Sequence, residues 1–292
     1  MEVNELVKKL RQERNISQRH LVEGISERST LASFEQKGQR ISFHILQQYL
    51  ERLNITLEEF EYLLQGNQLN EKRKLSKKMY RFYLQEEYEK IASLIAIAEQ
   101  SYLETHDFFY YVLFAQYSLI LAEKKNIRLE NEAEMSRVIR KYLDRVETWG
   151  KFELTLFVNT LFLFSDEYIM YQLKQLKRKN FSQHQLNKNY LIYTKLLTNA
   201  MFLFLDRATN EYVDSLFEYI QQTDSFDDEQ FMLMKKYFQG IHLLMNGYLA
   251  EGDELIEKVI DIQLFLEHSR LAEDLKNLAE RVEKCFAKNR TE

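Results

Sequence analysis

The sequence predicts an all-α protein in two parts, a head of short helices and a body of longer, paired ones. Three observations carry this. The 292 residues contain no proline and only seven glycines, so the punctuation of strands and tight turns is scarce while helix-forming Leu, Glu, Lys, Gln and Arg abound. Apolar residues recur at helical spacing along most of the chain. The periodic stretches are short up to residue 65 and lengthen beyond it. With 45% hydrophobic residues the chain can bury a substantial core. One cysteine, Cys285, excludes an internal disulfide, and no basic-then-apolar signal opens the chain, so a reducing cytoplasm is expected. No membrane partner is expected either. A bilayer span needs roughly 20 apolar residues, and "LTLFVNTLFLF" (154–164) is short and contains Asn159 and Thr160.

Five short helices are predicted in residues 1–65. Leu6 and Leu10 mark the first; Ser17 caps a second that buries Leu21 and Val22, with His20 at the N3 position. Ser26 is placed to cap a third, which buries Leu31 and Phe34. Ser42 caps a fourth with Leu46, Tyr49, Leu50 and Leu53 on one face, and Thr56 a fifth with Leu57, Phe60, Leu63 and Leu64. Helices this short are marginal alone and must pack as one small domain. "QGNQ" (65–68) reads as its boundary, giving a domain 1–65, a linker 66–70 and a second domain 71–292.

The second domain reads as helices near 71–100, 106–125, 129–148, 152–163, 165–179, 185–204, 208–222, 228–246, 249–265 and 268–288. Pairs recur about every 35 to 45 residues, the period of a helical-hairpin solenoid. The clearest unit is "YFQGIHLLMNGYLAEGDELIEKVIDI" (237–262). Its Gly240 and Gly252 have the spacing of the two small residues of a tetratricopeptide repeat, followed by Ile256 and Val259.

The formal charge is −5, but it is unevenly spread. Residues 1–54 hold nine basic against seven acidic side chains. In "NEKRKLSKKMYR" (70–81), Lys72, Arg73, Lys74, Lys77, Lys78 and Arg81 face Glu71 alone. That run is either a solvated helix face or, beside the head, a source of backbone phosphate contacts or a flexible hinge.

Two short helices joined by a turn can place one helix in a major groove while the other crosses the backbone. "ISQRHLVEGI" (16–25) followed by "SERSTLASFEQKGQRIS" (26–42) has this order. With Leu31 and Phe34 turned inward, Arg28, Ser29, Thr30 and Ser33 are left on the outer side. Arg can donate two hydrogen bonds to guanine, and Ser and Thr can reach base edges or phosphates. Gln18 opens the preceding helix, where free backbone N–H groups also meet phosphate. Arg11, Arg14, Lys37 and Arg40 complete the candidate DNA-binding set as basic groups around the helix pair.

"LRQERNISQRHLVEG" with "RSTLASFEQKGQRISFHILQQYLERLNITLEEF" resembles the Cro/repressor helix-turn-helix domain, including Gln18, Phe34 and Glu35. Joined to a helical-repeat body, the whole chain resembles the Rgg/GadR/MutR transcriptional regulators. The resemblance implies a five-helix helix-turn-helix domain followed by an α-solenoid of tetratricopeptide-like helix pairs. It further implies a cytoplasmic homodimer on double-stranded promoter DNA, with a short apolar peptide sensed by the repeat domain. Three departures matter. Ser33 stands where many relatives carry a basic residue, which shifts weight to Arg28 and Thr30; Gly38 comes one residue late; and the head has no cysteine to bridge a dimer.

In the body, "DFFYYVLFAQYSL" (107–119) and "NAMFLFLDR" (199–207) are dense in aromatics, mostly for core packing. Polar residues inside such apolar helices either satisfy a helix crossing or hold a peptide backbone on the concave face of a solenoid. Asn159, Lys195, Asn199 and Arg207 are the candidates. Enzymatic patterns are missing: there is no GxxxxGK, GxGxxG or HExxH and no cysteine pair, so neither catalysis, a cofactor nor a metal is expected. The six histidines are scattered, Glu58–Glu59 and Asp227–Asp228 read as helix starts, and Cys285 as a buried small hydrophobe. The sequence leaves open an alternative, a helical-repeat peptide- or protein-binding scaffold that does not bind DNA.

Overall fold

The computed structural model describes residues 1–66, 70–178, 187–224 and 228–288. Among them all regular structure is helical, with sixteen α-helices and one short 3-10 turn. Residues 67–69 of the expected linker, His184, Asp227 and the Cys285 side chain lie outside the described residues. The chain divides into two compact units, Met1–Leu113 and Phe114–Glu292.

The first unit opens with α1 (Val3–Glu13), α2 (Gln18–Val22), α3 (Arg28–Lys37), α4 (Phe43–Arg52) and α5 (Leu57–Leu64). Their inward faces form one core, in which Leu6, Val7, Leu21, Leu31, Tyr49, Leu53 and Phe60 are almost completely enclosed. Three predicted caps are in place: Ser17, Ser42 and Thr56 accept from the backbone N–H of His20, Ile45 and Glu59 at 3.1, 3.3 and 3.2 Å. The Glu59 carboxylate accepts in return from the Thr56 N–H, completing a capping box. Ser26 is a correction. Glu27 occupies the cap position of α3 without a side-chain bond, and the Ser26 hydroxyl lies 2.5 Å from that of Tyr49. A buried phenol needs a hydrogen-bond partner, and Ser26 is it. The five-residue α2 gets support from outside as well. Arg52 Nη1 donates to the carbonyls of His20, Leu21 and Glu23 at its C-terminal end.

The unit continues through α6 (Glu71–Leu84) and α7 (Tyr88–Thr105), which pack on each other, into the start of α8 (Phe108–Lys125). The sequence predicts a single helix over 71–100, and the structure divides it. The break at 85–87 has no glycine or proline to announce it; Glu86 takes a left-handed conformation (φ 57°) instead. The same device closes other turns at Asn15, Asn54, His106, Asn126, Ala208 and Glu267. Each such non-glycine residue costs about 1–2 kcal/mol of backbone energy, which the packed helices on either side must offset.

The second unit contains α9 (Glu132–Arg145), α10 (Lys151–Asn159), α11 (Asp166–Arg178), α12 (Asn187–Asp206), α13 (Asn210–Gln222), α14 (Glu229–Met245), α15 (Leu249–Phe265) and α16 (Ser269–Lys288). The helix predicted over 152–163 ends at Asn159 and is followed by a 3-10 turn at Leu161–Leu163. Helices α10, α12 and α14 begin 36 and 42 residues apart, at Lys151, Asn187 and Glu229, so the expected hairpin period is real. Packing follows it: α10 lies on α12, α12 on α14 and α14 on α16 in one layer, while α11 lies on α13 in the other. The tightest crossing is α14 on α15. A Cβ on Gly240 would stand 2.7 Å from Ile256 Cγ1 and 2.9 Å from the Gly252 carbonyl oxygen. One on Gly252 would stand 2.7 Å from Leu244 Cδ2 and 2.9 Å from the Gly240 carbonyl oxygen. The two glycines are needed for each other, because the backbones touch where a side chain would sit.

Candidate functional site

Helix α3 separates its residues by depth. Leu31, Phe34 and Glu35 are buried, Thr30 and Ser33 are half-buried, and Arg28, Ser29 and Lys37 are exposed. Arg28 has no hydrogen-bond or ionic partner among the described residues. Gly38 ends the helix at φ 66°, its N–H returning to the Phe34 carbonyl. This left-handed position favours glycine, so the late glycine has a local cause. The chain then exposes Arg40. Lys37, Gly38 and Arg40 border an open pocket of about 520 Å³ against the first turn of α1.

Behind this face lies a buried polar cluster. Arg11 Nε and Nη2 donate to the two carboxylate oxygens of Glu35 at 2.7 and 2.8 Å, and Nη1 donates to the Ile16 carbonyl at 2.8 Å. Its side chain is 10% exposed and that of Glu35 1%. The sequence places Arg11 at DNA, and the structure corrects this: its guanidinium is consumed in the interior, where it holds α1 to α3. Gln18 completes the cluster, donating from Nε2 to Glu35 at 2.9 Å. That bond fixes the amide and leaves its second N–H and its carbonyl oxygen available at the first position of α2. Burial by itself would raise the Glu35 carboxyl. The hydrogen bonds from Arg11 and Gln18 and the charges of Arg11 and Lys8 outweigh it and hold the group below the ordinary carboxylate value. Arg14 stays exposed at the end of α1, donating to the Leu10 carbonyl at 3.1 Å.

In the second unit, Lys195 and Asn199 stand one turn apart on α12, Lys195 exposed and Asn199 half-buried. Asn159, also half-buried, ends α10, the helix that packs on α12. The three thus share the α10/α12 layer. Arg207 does not join them. Its Nη1 donates to the Phe164 carbonyl at 2.9 Å and to Asp166 Oδ1 at 2.5 Å, and Nη2 donates to the Phe162 carbonyl at 3.1 Å. The side chain clamps the 3-10 turn and the start of α11, whose Asp166 is buried.

Several of the polar anchors gave no sequence signal. Arg52 under α2 and Tyr49 under Ser26 reach partners 23 to 32 residues away, a distance that local patterns do not see. No group of His, Cys, Asp and Glu that could hold a metal occurs among the described residues, and no helix there is long and apolar enough to cross a membrane.

Residues 131–277 match the family model described as the C-terminal domain of the helix-turn-helix transcriptional regulator Rgg. No curated protein sequence matches the chain significantly. Among solved structures it is similar to Rgg2, the SHP pheromone receptor of Streptococcus dysgalactiae, with a TM-score of 0.75 and 19% identity over 96% of this chain and 99% of that one. It is also similar to a protein of Listeria monocytogenes EGD-e, with a TM-score of 0.75 and 18% identity over 99% and 98% of the two chains. PrgX in its complex with cCF10 gives a TM-score of 0.71 and 17% identity over 94% and 98%. At these identities the structures establish the fold, which runs through head and body alike. The family model covers half of the sequence, and the chain belongs to the Rgg family of helix-turn-helix transcriptional regulators.

Proposed function

We propose that the protein is a peptide-responsive transcription regulator that binds double-stranded promoter DNA as a cytoplasmic homodimer. The observation that carries the reading is the division of α3: a buried Leu31, Phe34 and Glu35 seat the helix, while Arg28 and Ser29 project without competing partners. In this reading Arg28, Ser29 and Thr30 contact base edges, with Ser33 beside them. Gln18, oriented by Glu35, meets a phosphate together with the N-terminal N–H groups of α2. Arg14, Lys37 and Arg40 add phosphate contacts. A domain boundary near residue 65 lets this five-helix core act as the DNA-binding head, with residues 71–292 as the peptide-binding and dimerisation part.

The peptide site belongs to the α10/α12 layer. Asn159 and Asn199 each offer a donor and an acceptor to the backbone of an extended peptide, Lys195 offers a charge, and Leu191 on the same helix is 47% exposed. This combination suits a short, mainly apolar peptide. The peptide acts by binding one arrangement of the two heads more tightly than the other, since only differential affinity shifts such an equilibrium. The reading is supported by family membership and by relatives described as pheromone receptors.

The test is a fluorescence-anisotropy titration of the full chain on a duplex from its neighbouring promoter, with and without synthetic apolar peptides encoded nearby. The expected result is binding to that duplex, a change in affinity with one of the peptides, and loss of that peptide response in Asn199→Ala. Absence of binding to any duplex would leave the helical-repeat scaffold as the better account.

A further inference from the structure

Helix α6 carries six cationic side chains, and they fall into two sets. Lys72 is paired with Asp107, Arg73 lies 3.5 Å from Glu61, and Lys74 lies 2.8 Å from Glu71. Lys77, Lys78 and Arg81 are exposed and have no carboxylate partner among the described residues. Lys78 and Arg81 sit over the ring of Phe82 instead, Nζ at 5.9 Å and Cζ at 5.4 Å from its centroid. Lys90 of α7 comes to 5.2 Å from the same centroid. One aromatic ring thus gathers three cations, and only Lys90 is offset by an acid, Glu87 at 2.8 Å. A ring quadrupole attracts a cation but does not neutralise it. Like charges at the three- and four-residue spacings of 78/81 and 77/81 repel each other on a helix. The cluster is therefore an uncompensated positive field, and an external anion would relieve it.

We infer that Lys77, Lys78 and Arg81 form a second docking station for DNA, holding backbone phosphates outside the site read by α3. The inference rests on the DNA-binding reading above. Two observations favour a duplex over another polyanion. Helix α6 belongs to the same compact unit as α3, and Arg73 ties its first turn to Glu61 of α5, the last helix of the head. The three charges also lie within about 6 Å of helix axis and about 100° of its surface, a basic patch broad enough to meet more than one backbone phosphate. No base edge is read here, so the contact adds affinity without sequence preference.

The test is the salt dependence of binding to labelled duplexes of about 40 base pairs, promoter-derived and scrambled, between about 50 and 200 mM salt. Lys78→Ala/Arg81→Ala should lower the slope of log affinity against log salt by about two, at about 0.9 per lost phosphate contact, equally on both duplexes. A control with the same charge loss in the second unit, Lys258→Ala/Lys284→Ala, should leave the slope unchanged. Both pairs are surface groups, so melting temperatures should match wild type. A wild-type slope in Lys78→Ala/Arg81→Ala, the result expected of a surface that meets an acidic protein, would overturn the inference while leaving the DNA-binding reading intact. An equal fall in the control would also overturn it. Wild type that binds neither duplex would overturn both.

Discussion

The two units position polar groups by different means. In the head, which has little apolar surface to spend, short helices are fixed by side chains that reach backbone ends: Ser17, Ser42 and Thr56 at N-termini, and Arg52 beneath the C-terminus of α2. A buried ion pair, Arg11–Glu35, sits at their centre and holds Gln18 as well. In the body, long helices are fixed by apolar contact, above all where Gly240 and Gly252 let α14 and α15 touch, and single cations staple distant segments. Arg207 does this at the 3-10 turn, and Lys235 at the end of α13, where it donates to the carbonyls of Gln221 and Thr223. The head thus holds its short helices with polar anchors around a small apolar core, whereas the body gains rigidity from close packing.

Substitutions can break this contrast, and the largest effect is expected inside the head. Glu35→Leu strands the Arg11 charge in the interior and should cost about 3–5 kcal/mol, read from denaturant unfolding; adding Arg11→Met should recover most of it, because a well-packed apolar pair replaces a buried ionic one at little net cost. The same pair sets an acid limit. Glu35 is held below its ordinary value of 4.5, so its contribution is fully present above pH 4.5 and is lost as pH falls through the depressed native value. The acid unfolding of wild type should therefore contain a component that Arg11→Met/Glu35→Leu lacks.

The body's counterpart is Gly240→Val, expected to cost about 3 kcal/mol because the added atoms meet the Gly252 backbone and not a movable side chain alone. Arg207→Met should cost about 2 kcal/mol, since it leaves a buried carboxylate and two carbonyls without their donor. Thr56→Ala, which removes one half of a capping box on an exposed helix end, should cost about 1 kcal/mol. Calorimetry on each variant checks the order. If Gly240→Val proved milder than Thr56→Ala, close packing would not be what stiffens the body.

Local signals in the sequence reach only a few residues along the chain. Caps act within three residues, so Ser17, Ser42 and Thr56 could be read directly, and the Gly240–Gly252 spacing pointed to the crossing it makes. The boundary of α6 could not be read, because Glu86 turns the chain without glycine or proline. Nothing local distinguishes Arg11, whose partner lies 24 residues away, from Arg28, which has none among the described residues. Arg207 looked like an open polar residue for the same reason: its partners are 41 to 45 residues distant. Periodicity shows which residues are apolar and turned inward, but a buried charge is recognised only when its partner is in view.

Arg11 is spent in the interior of the head, and the proposed DNA contact of Arg28 is the part of the reading that one variant can decide. Measuring promoter-duplex affinity and thermal unfolding together on Arg28→Ala tests it most directly. Affinity should fall about 10- to 100-fold, as for the loss of one bidentate base contact, with stability within about 0.5 kcal/mol of wild type. Unchanged affinity, or a loss of stability in its place, would show that Arg28 does not serve DNA contact.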